Sequence, residues 1–290
     1  MQERLGTRPR RTCKASCRAT EWHPQTCCRP DASRIGGYGV ELIEDRVVAI
    51  DAGFGVRLAS GPVLNARRIL VTTGVRDLIP DEIDGVRERW GRDLLHCPYC
   101  HGWEVRDQPL GVLGTVPGSV QHALLVRQWS DDITFFVNTY ELNAAERLQL
   151  DAHGVQVIAG PVARLIVEDD RLIGVELVDG RVVARTAVFI RPRNVPHDDG
   201  LLAGLGCDFD ESGFVAVDAV GRTSTAGVSA AGNVTDPRAQ VITAAGAGSA
   251  AAIAINADLV EEDVRDAVQR AGASDQAVET SINENEGNFR

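Results

Sequence analysis

From Gly39 onward the chain consists of short apolar runs cut by turn residues, and the spacing of those runs predicts the elements. Residues 40–43, 47–51, 55–59 and 66–73 read as β segments, separated by turns such as Asp51-Ala52-Gly53 and Ser60-Gly61-Pro62. The last run, Ile69-Leu70-Val71-Thr72-Thr73-Gly74, stops at a glycine, where backbone can come close to a ligand. Residues 111–114 form another strand end and lead through Thr115-Val116-Pro117-Gly118 into an apolar helix carrying Ala123, Leu124, Leu125, Val126 and Trp129. Residues 132–137 supply the next strand and complete a βαβ unit. Residues 154–158, 163–168, 172–177 and 187–191 add strands, and Gly227-Val228-Ser229-Ala230-Ala231-Gly232-Asn233 is a further strand running into a glycine turn. A helix of small residues follows from residue 240 to about 257, and after about residue 271 the chain turns polar and reads as a disordered tail. The fold class is α/β.

The first 35 residues follow no such grammar. They hold Cys13, Cys17, Cys27 and Cys28, together with the only lysine, Lys14, and the only methionine, Met1. Cys-x3-Cys followed by Cys-Cys fits no common zinc or disulfide spacing. Permitted codons for residues 12–33 can, one frame over, encode a loop followed by an amphipathic helix. The expectation is an out-of-frame or misassigned start, with a natural disordered leader as the alternative.

Composition narrows the class. At 290 residues the chain suggests one large or two ordinary domains. A net charge of −11 and a pI near 5.0 leave no nucleic-acid footprint. No uninterrupted apolar run reaches the roughly 18 residues of a membrane span, and the arginine-rich N-terminus lacks a secretory apolar block. Neither nucleic acid nor membrane is expected as a partner, and the expected location is the cytoplasm, where paired cysteines are more often catalytic than structural.

The chemistry concentrates in His96-Cys97-Pro98-Tyr99-Cys100-His101. Two thiols at this spacing can close into a disulfide and reopen with little backbone movement, provided one is partly thiolate. His101, directly after the second cysteine, is titratable near neutrality and stands where a proton donor and acceptor is needed. A zinc site would need two more ligands, and His96 and His101 would crowd all four into six consecutive residues. Inert buried thiols are the other alternative. Redox chemistry is the favoured reading, and no metal is expected.

Over about residues 38–264 these pieces resemble the low-molecular-weight thioredoxin reductases, within the FAD-dependent pyridine nucleotide-disulfide oxidoreductases. They look most like the branch holding the gliotoxin- and holomycin-type dithiol oxidases. Three ordered blocks carry the resemblance: Thr72-Thr73-Gly74, Cys97-Pro98-Tyr99-Cys100, and Thr225 to Asp236 followed by Gln240-Val241. The resemblance implies an FAD/NAD(P)-binding, Rossmann-like, three-layer, two-domain fold. Residues 36–95 and 196–265 would form a partial FAD domain, residues 96–195 an inserted NAD(P)-type domain, and residues 266–290 the tail.

It further implies that Cys100 faces the flavin and that Cys97 exchanges with a dithiol or disulfide. His101 would replace the family's acid-base aspartate. Thr73, Gly74, Gly232, Asn233, Gln240 and Val241 would line the FAD, with Asn233 in place of a ribityl-binding aspartate, and Gly114 would belong to the nucleotide turn. The family's N-terminal Gly-x-Gly-x-x-Gly is missing from the sequence. The flavin domain is therefore expected to be truncated at its N-terminus and to hold little or no FAD. Val116 and Ser119 stand where the second and third glycine-type positions of the inserted domain belong, and the next strand ends Val137-Asn138-Thr139 without arginines. That weakens any NADPH site.

The expected activity is electron exchange between a dithiol, Cys97/Cys100 and flavin, with oxygen as acceptor. An NADPH-dependent thioredoxin reductase is the alternative, and a remnant that binds no flavin is the rival from outside enzymes. A small dithiol or a thioredoxin-like protein would be the substrate, and a homodimer is the family's usual assembly.

Overall fold

The computed structural model describes residues 36–197 and 199–287. The anomalous leader, residues 1–35, lies outside them. Among the described residues two compact units form, one from residues 36–43 plus Arg76–Val195, the other from Glu44–Val75 plus residues 196–197 and 199–287.

The first unit is built on a five-stranded parallel sheet. Its strands are β6 (Leu94–Leu95), β13 (Ala187–Ile190), β7 (Leu110–Leu113), β8 (Ile133–Phe136) and β9 (Gln156–Ile158), in that spatial order. Leu110–Leu113, Ile133–Phe136 and Ala187–Ile190 are buried throughout, as expected of strands covered on both faces. Successive side chains nevertheless serve opposite layers. Leu113, Phe136, Val188 and Ile190 pack against Leu165, Leu172, Val175 and Leu177. These last come from an antiparallel sheet of β10 (Val162–Glu168), β11 (Arg171–Leu177) and β12 (Val182–Ala184). Val112, Phe135 and Phe189 point the other way, onto Val120, Ala123 and Val126 of α3 (Ser119–Val126) and Leu150 of α4 (Ala144–Ala152). Sheet, helices and antiparallel sheet make three layers.

In the second unit β1 (Val47–Ile50), β2 (Gly55–Leu58) and β3 (Val63–Asn65) form an antiparallel sheet. There β4 (Ile69–Val71) pairs in parallel with β15 (Val228–Ala230). Besides the short α5 (Leu201–Gly204), the unit holds a long helix, α6 (Val241–Gly287). It meets its unit through buried Ala251 and Ala254 and through the pairs Arg222–Asp258 and Arg68–Glu262, at 2.9 and 2.5 Å. Ile242, Ile253, Val260, Val264 and Val268 lie exposed along it.

Several expectations change. Residues 40–43 form no strand, and Val40, Leu42 and Ile43 are exposed, because an extended run without a pairing edge gains nothing. The expected domain edge at residue 95 moves to 75: β5 (Arg76–Leu78) pairs antiparallel with β14 (Arg193–Val195), and β6 joins β13, so residues 76–95 belong to the first unit. The helix expected to end near 257, with a disordered tail, instead continues to Gly287. Within it Val241–Gly272 is long and apolar enough, by length and composition, to cross a membrane, with a mean hydropathy of 1.3 in its best window. Counting uninterrupted apolar residues missed it, because the value comes from alanines interspersed with Thr243, Ser249 and Asn256.

Arg89, at the end of α1 (Val86–Arg89), ties this architecture to the segment leading to Cys97. Its guanidinium donates to both oxygens of Asp93, at 2.8 and 2.6 Å, and to Asp170 at 2.7 Å, with the Arg89 side chain 5% exposed. Removing one partner of a buried pair strands the other charge. Arg89→Ala is expected to cost about 3–5 kcal/mol in urea unfolding followed by tryptophan fluorescence. Arg87→Ala, which removes an exposed pair with Asp81, should cost less than about 1 kcal/mol.

Candidate active site

The thiol pair sits on a single helical turn directly after β6. Cys97 caps α2 (Pro98–His101) in extended conformation, with φ −95° and ψ 112°. Pro98 takes the first helical position, where its fixed φ suits the helix and its missing N–H costs nothing. The Cys97 carbonyl accepts from the N–H groups of Cys100 and His101, both at 3.1 Å, which closes the turn that carries the two cysteines. Both are half-buried and not joined in a disulfide. Tyr99 and Trp103 stand exposed on either side of Cys100, and the Arg106 guanidinium lies 3.7 Å over the Trp103 ring. His101 is buried, and its Nδ1 is 3.1 Å from Oε2 of Glu104. Among the described residues no group of acidic, histidine and cysteine side chains could hold a metal.

The second unit gathers the remaining expected positions. Thr73 and Gly74 follow β4, and Gly232 and Asn233 follow β15. The Ala231 N–H donates to the Val71 carbonyl at 3.1 Å, so the two strand ends run side by side. Gly232 has φ +84°, a conformation that favours glycine. Asn233 Nδ2 donates to the carbonyls of Asp236 and Ala239, both at 2.9 Å, which fixes the amide and leaves Oδ1 as its acceptor. Gln240 and Val241 open α6, whose first N–H groups have no intrahelical partner. Thr73, Gly74, Gly232, Asn233, Gln240 and Val241 thus share one unit, while Cys97, Cys100, His101 and Gly114 share the other.

The family model described as pyridine nucleotide-disulphide oxidoreductase matches residues 9–249. The chain belongs to the pyridine nucleotide-disulphide oxidoreductases. Among solved structures it resembles the crystal structure of HlmI, with 54% identity and a TM-score of 0.81, over 85% of this chain and 79% of that one. Among sequences it is 29% identical to the thioredoxin reductase sirT of Leptosphaeria maculans, over 74% of this chain and 69% of that relative. It is also 29% identical to a thioredoxin reductase of Streptomyces coelicolor, over 74% and 70%.

Pyridine nucleotide-disulphide oxidoreductases combine a flavin with a nicotinamide nucleotide, and the two sites fare differently here. For the flavin, a fixed acceptor on Asn233, the positive-φ turn at Gly232 and the free N–H groups of α6 suit the ribityl chain and ring. The pyrophosphate cradle Gly-x-Gly-x-x-Gly does not occur in the sequence.

The nucleotide turn does not fit its ligand. Ser119 Oγ accepts from the N–H groups of Thr115 and Val116, both at 3.2 Å, and donates to the Val116 carbonyl at 2.7 Å. A serine hydroxyl thus occupies donors that a pyrophosphate would use. Asn138 closes the neighbouring strand ends, its Oδ1 accepting from the Val162 N–H at 3.0 Å. Gly114 has a packing reason for lacking a side chain: an added Cβ would lie 2.7 Å from the Val137 carbonyl and 2.9 Å from Tyr140 Cβ.

Sequence reasoning missed Glu104, although its i+3 spacing from His101 on a helical turn was a usable signal. It also missed His122, on the buried side of α3, whose ring lies 6.4 Å from that of His96. Burial, helped by the Arg191 charge, pushes the His122 pKa from 6.5 down to about 4. The unfolded chain therefore binds a proton that the folded one excludes. The neutral ring's contribution is complete above 6.5 and is lost as pH falls toward about 4, by about 3 kcal/mol in all. Urea midpoints across that window should fall steeply for the native chain and flatten for His122→Leu, which takes up no proton.

Proposed function

We propose that the chain is a flavin-dependent dithiol oxidase. In this reading a substrate dithiol reduces the Cys97–Cys100 disulfide, and the electron pair leaves through flavin to oxygen. The observation that carries it is the placement of two half-buried thiols on one turn with His101 adjoining the second. Cys97, at the start of the turn, takes the substrate sulfur; Cys100 is the thiol released when the disulfide opens; His101 moves the proton. FAD, when bound, accepts the electron pair and returns it to oxygen. Asn233 would accept from the ribityl chain, and the α6 N-terminus would favour negative charge on the ring.

The Ser119-filled turn supports oxygen rather than NADPH as redox partner. Tyr99 and Trp103, exposed beside the thiols, suit a small dithiol with flat apolar surface, and a thioredoxin-like protein is the alternative substrate. A reducing, cytoplasmic setting and a homodimer belong to the same proposal, on the family's pattern.

With saturating FAD added, dithiol should drive oxygen uptake, and Cys97→Ser or Cys100→Ser should each abolish it. NADPH should leave flavin absorbance unchanged. Turnover retained in both serine variants would remove the pair from the mechanism. Bleaching by NADPH would make the chain a thioredoxin reductase like its named relatives.

A further inference from the structure

The His101–Glu104 pair is unexplained by packing alone. The His101 side chain is 9% exposed and that of Glu104 46%, so one partner is held inside and the other reaches out from solvent to meet it. Their spacing is rigid. The Glu104 N–H donates to the His101 carbonyl at 3.1 Å and the Gly102 N–H to the Pro98 carbonyl at 2.7 Å. A Cβ on Gly102 would lie 2.4 Å from Trp129 Nε1, so the turn between the two residues is clamped against that indole.

A carboxylate offers only acceptors. The ring atom 3.1 Å from Glu104 Oε2 is Nδ1, so Nδ1 carries the hydrogen and donates. A neutral imidazole with its hydrogen on Nδ1 has its lone pair on Nε2. Arg106, the next charge along, is engaged with the Trp103 ring at 3.7 Å and lies 3.8 Å from Asp107. The titratable groups along the turn around His101 are His96, the thiols of Cys97 and Cys100, the Tyr99 phenol and Glu104.

We infer that Glu104 is a positioning residue: it holds His101 in the Nδ1–H tautomer, so that Nε2 takes and returns protons during thiol–disulfide exchange. This rests on the exchange chemistry proposed above. The step balances within the dithiol and the protein. His101 Nε2 takes the proton of one substrate thiol, and that sulfur attacks Cys97 Sγ. The Cys97–Cys100 bond breaks, Cys100 leaves with the electron pair, and His101 returns the proton to it. The second substrate sulfur, its proton lost to solvent, then attacks the first, and Cys97 departs as a thiolate that water reprotonates. The substrate loses two electrons and two protons, and the cysteine pair gains both.

The half-reaction needs no flavin and can be followed on the 290-residue chain. Protein whose Cys97–Cys100 disulfide has been formed with diamide is mixed with dithiothreitol and quenched with N-ethylmaleimide. The tryptic peptide Asp93–Arg106, which holds both cysteines, is then read by mass. Near neutral pH, Glu104→Gln should slow reduction about 10-fold or more. The loss should shrink as pH approaches the ordinary thiol value near ~8.5, where substrate thiolate forms unaided. Glu104→Asp should recover part of the rate, and Glu104→Gln should add nothing in a His101→Gln background.

A wild-type rate and pH profile in Glu104→Gln, with His101→Gln slow, would overturn the positioning role and leave the exchange chemistry standing. So would equal slowing by Glu104→Gln with and without His101. If neither variant changes the rate, or the disulfide does not exchange at all, the reading of His101 or of the pair falls as well, and the inference with it.

Discussion

Hydrogen bonds converging on Asp93 fix where the thiols stand. Its side chain accepts from Arg89 on both oxygens and from the Leu172 N–H at 2.8 Å, and its carbonyl accepts from the Val188 N–H at 2.8 Å. Those partners come from α1, the antiparallel sheet and β13, so one residue joins every element around it. Immediately afterwards Leu94 and Leu95 pair with Val188 and Phe189 and are buried to 0% and 2%. Two residues make a short strand. Tied on both sides, it launches the chain into the Cys97 turn from a defined point, which reactive side chains working at hydrogen-bond range require.

The parallel sheet was legible because its strands obey local rules. Ile133–Phe136 and Ala187–Ile190 are short aliphatic or aromatic runs bounded by turn residues, and burial on both faces leaves just that trace. The β5–β14 pair was illegible for the opposite reason. Arg76–Leu78 and Arg193–Val195 carry no apolar alternation, and their pairing closes a span of more than 100 residues, so nothing local announces it. Residues 40–43 had the local pattern without a partner, and the pattern alone made no strand. The thiol turn could be read from Cys97, Cys100 and His101 because their chemistry is written in their spacing. Glu104 and His122 emerged only once the turn and α3 had been folded around them.

The two cofactor positions show how residues of one family can be kept or reassigned. Asn233 has both N–H groups bound within its own loop, an arrangement that presents one acceptor and depends on no ligand for its order. The opening of α6 presents backbone donors in the same unit. In the other unit the glycine-type position at 119 has acquired a side chain, and that side chain bonds its own turn. A glycine there would leave the turn's N–H groups facing outward; a serine satisfies them internally.

That substitution makes Ser119 a tethered competitor. Its hydroxyl is presented to the Thr115 and Val116 N–H groups by the helix on which it sits, so it acts at a local concentration far above that of any dissolved metabolite. A dinucleotide would have to displace an occupant that never diffuses away, and would leave the Ser119 hydroxyl to find other partners in a residue with no solvent exposure. Such a tethered competitor weakens the turn's affinity for a dinucleotide by a constant factor. In the dithiol oxidase proposed above, that penalty favours the dithiols that reach Cys97 over the pyridine nucleotide pool as the source of electrons for the thiol pair.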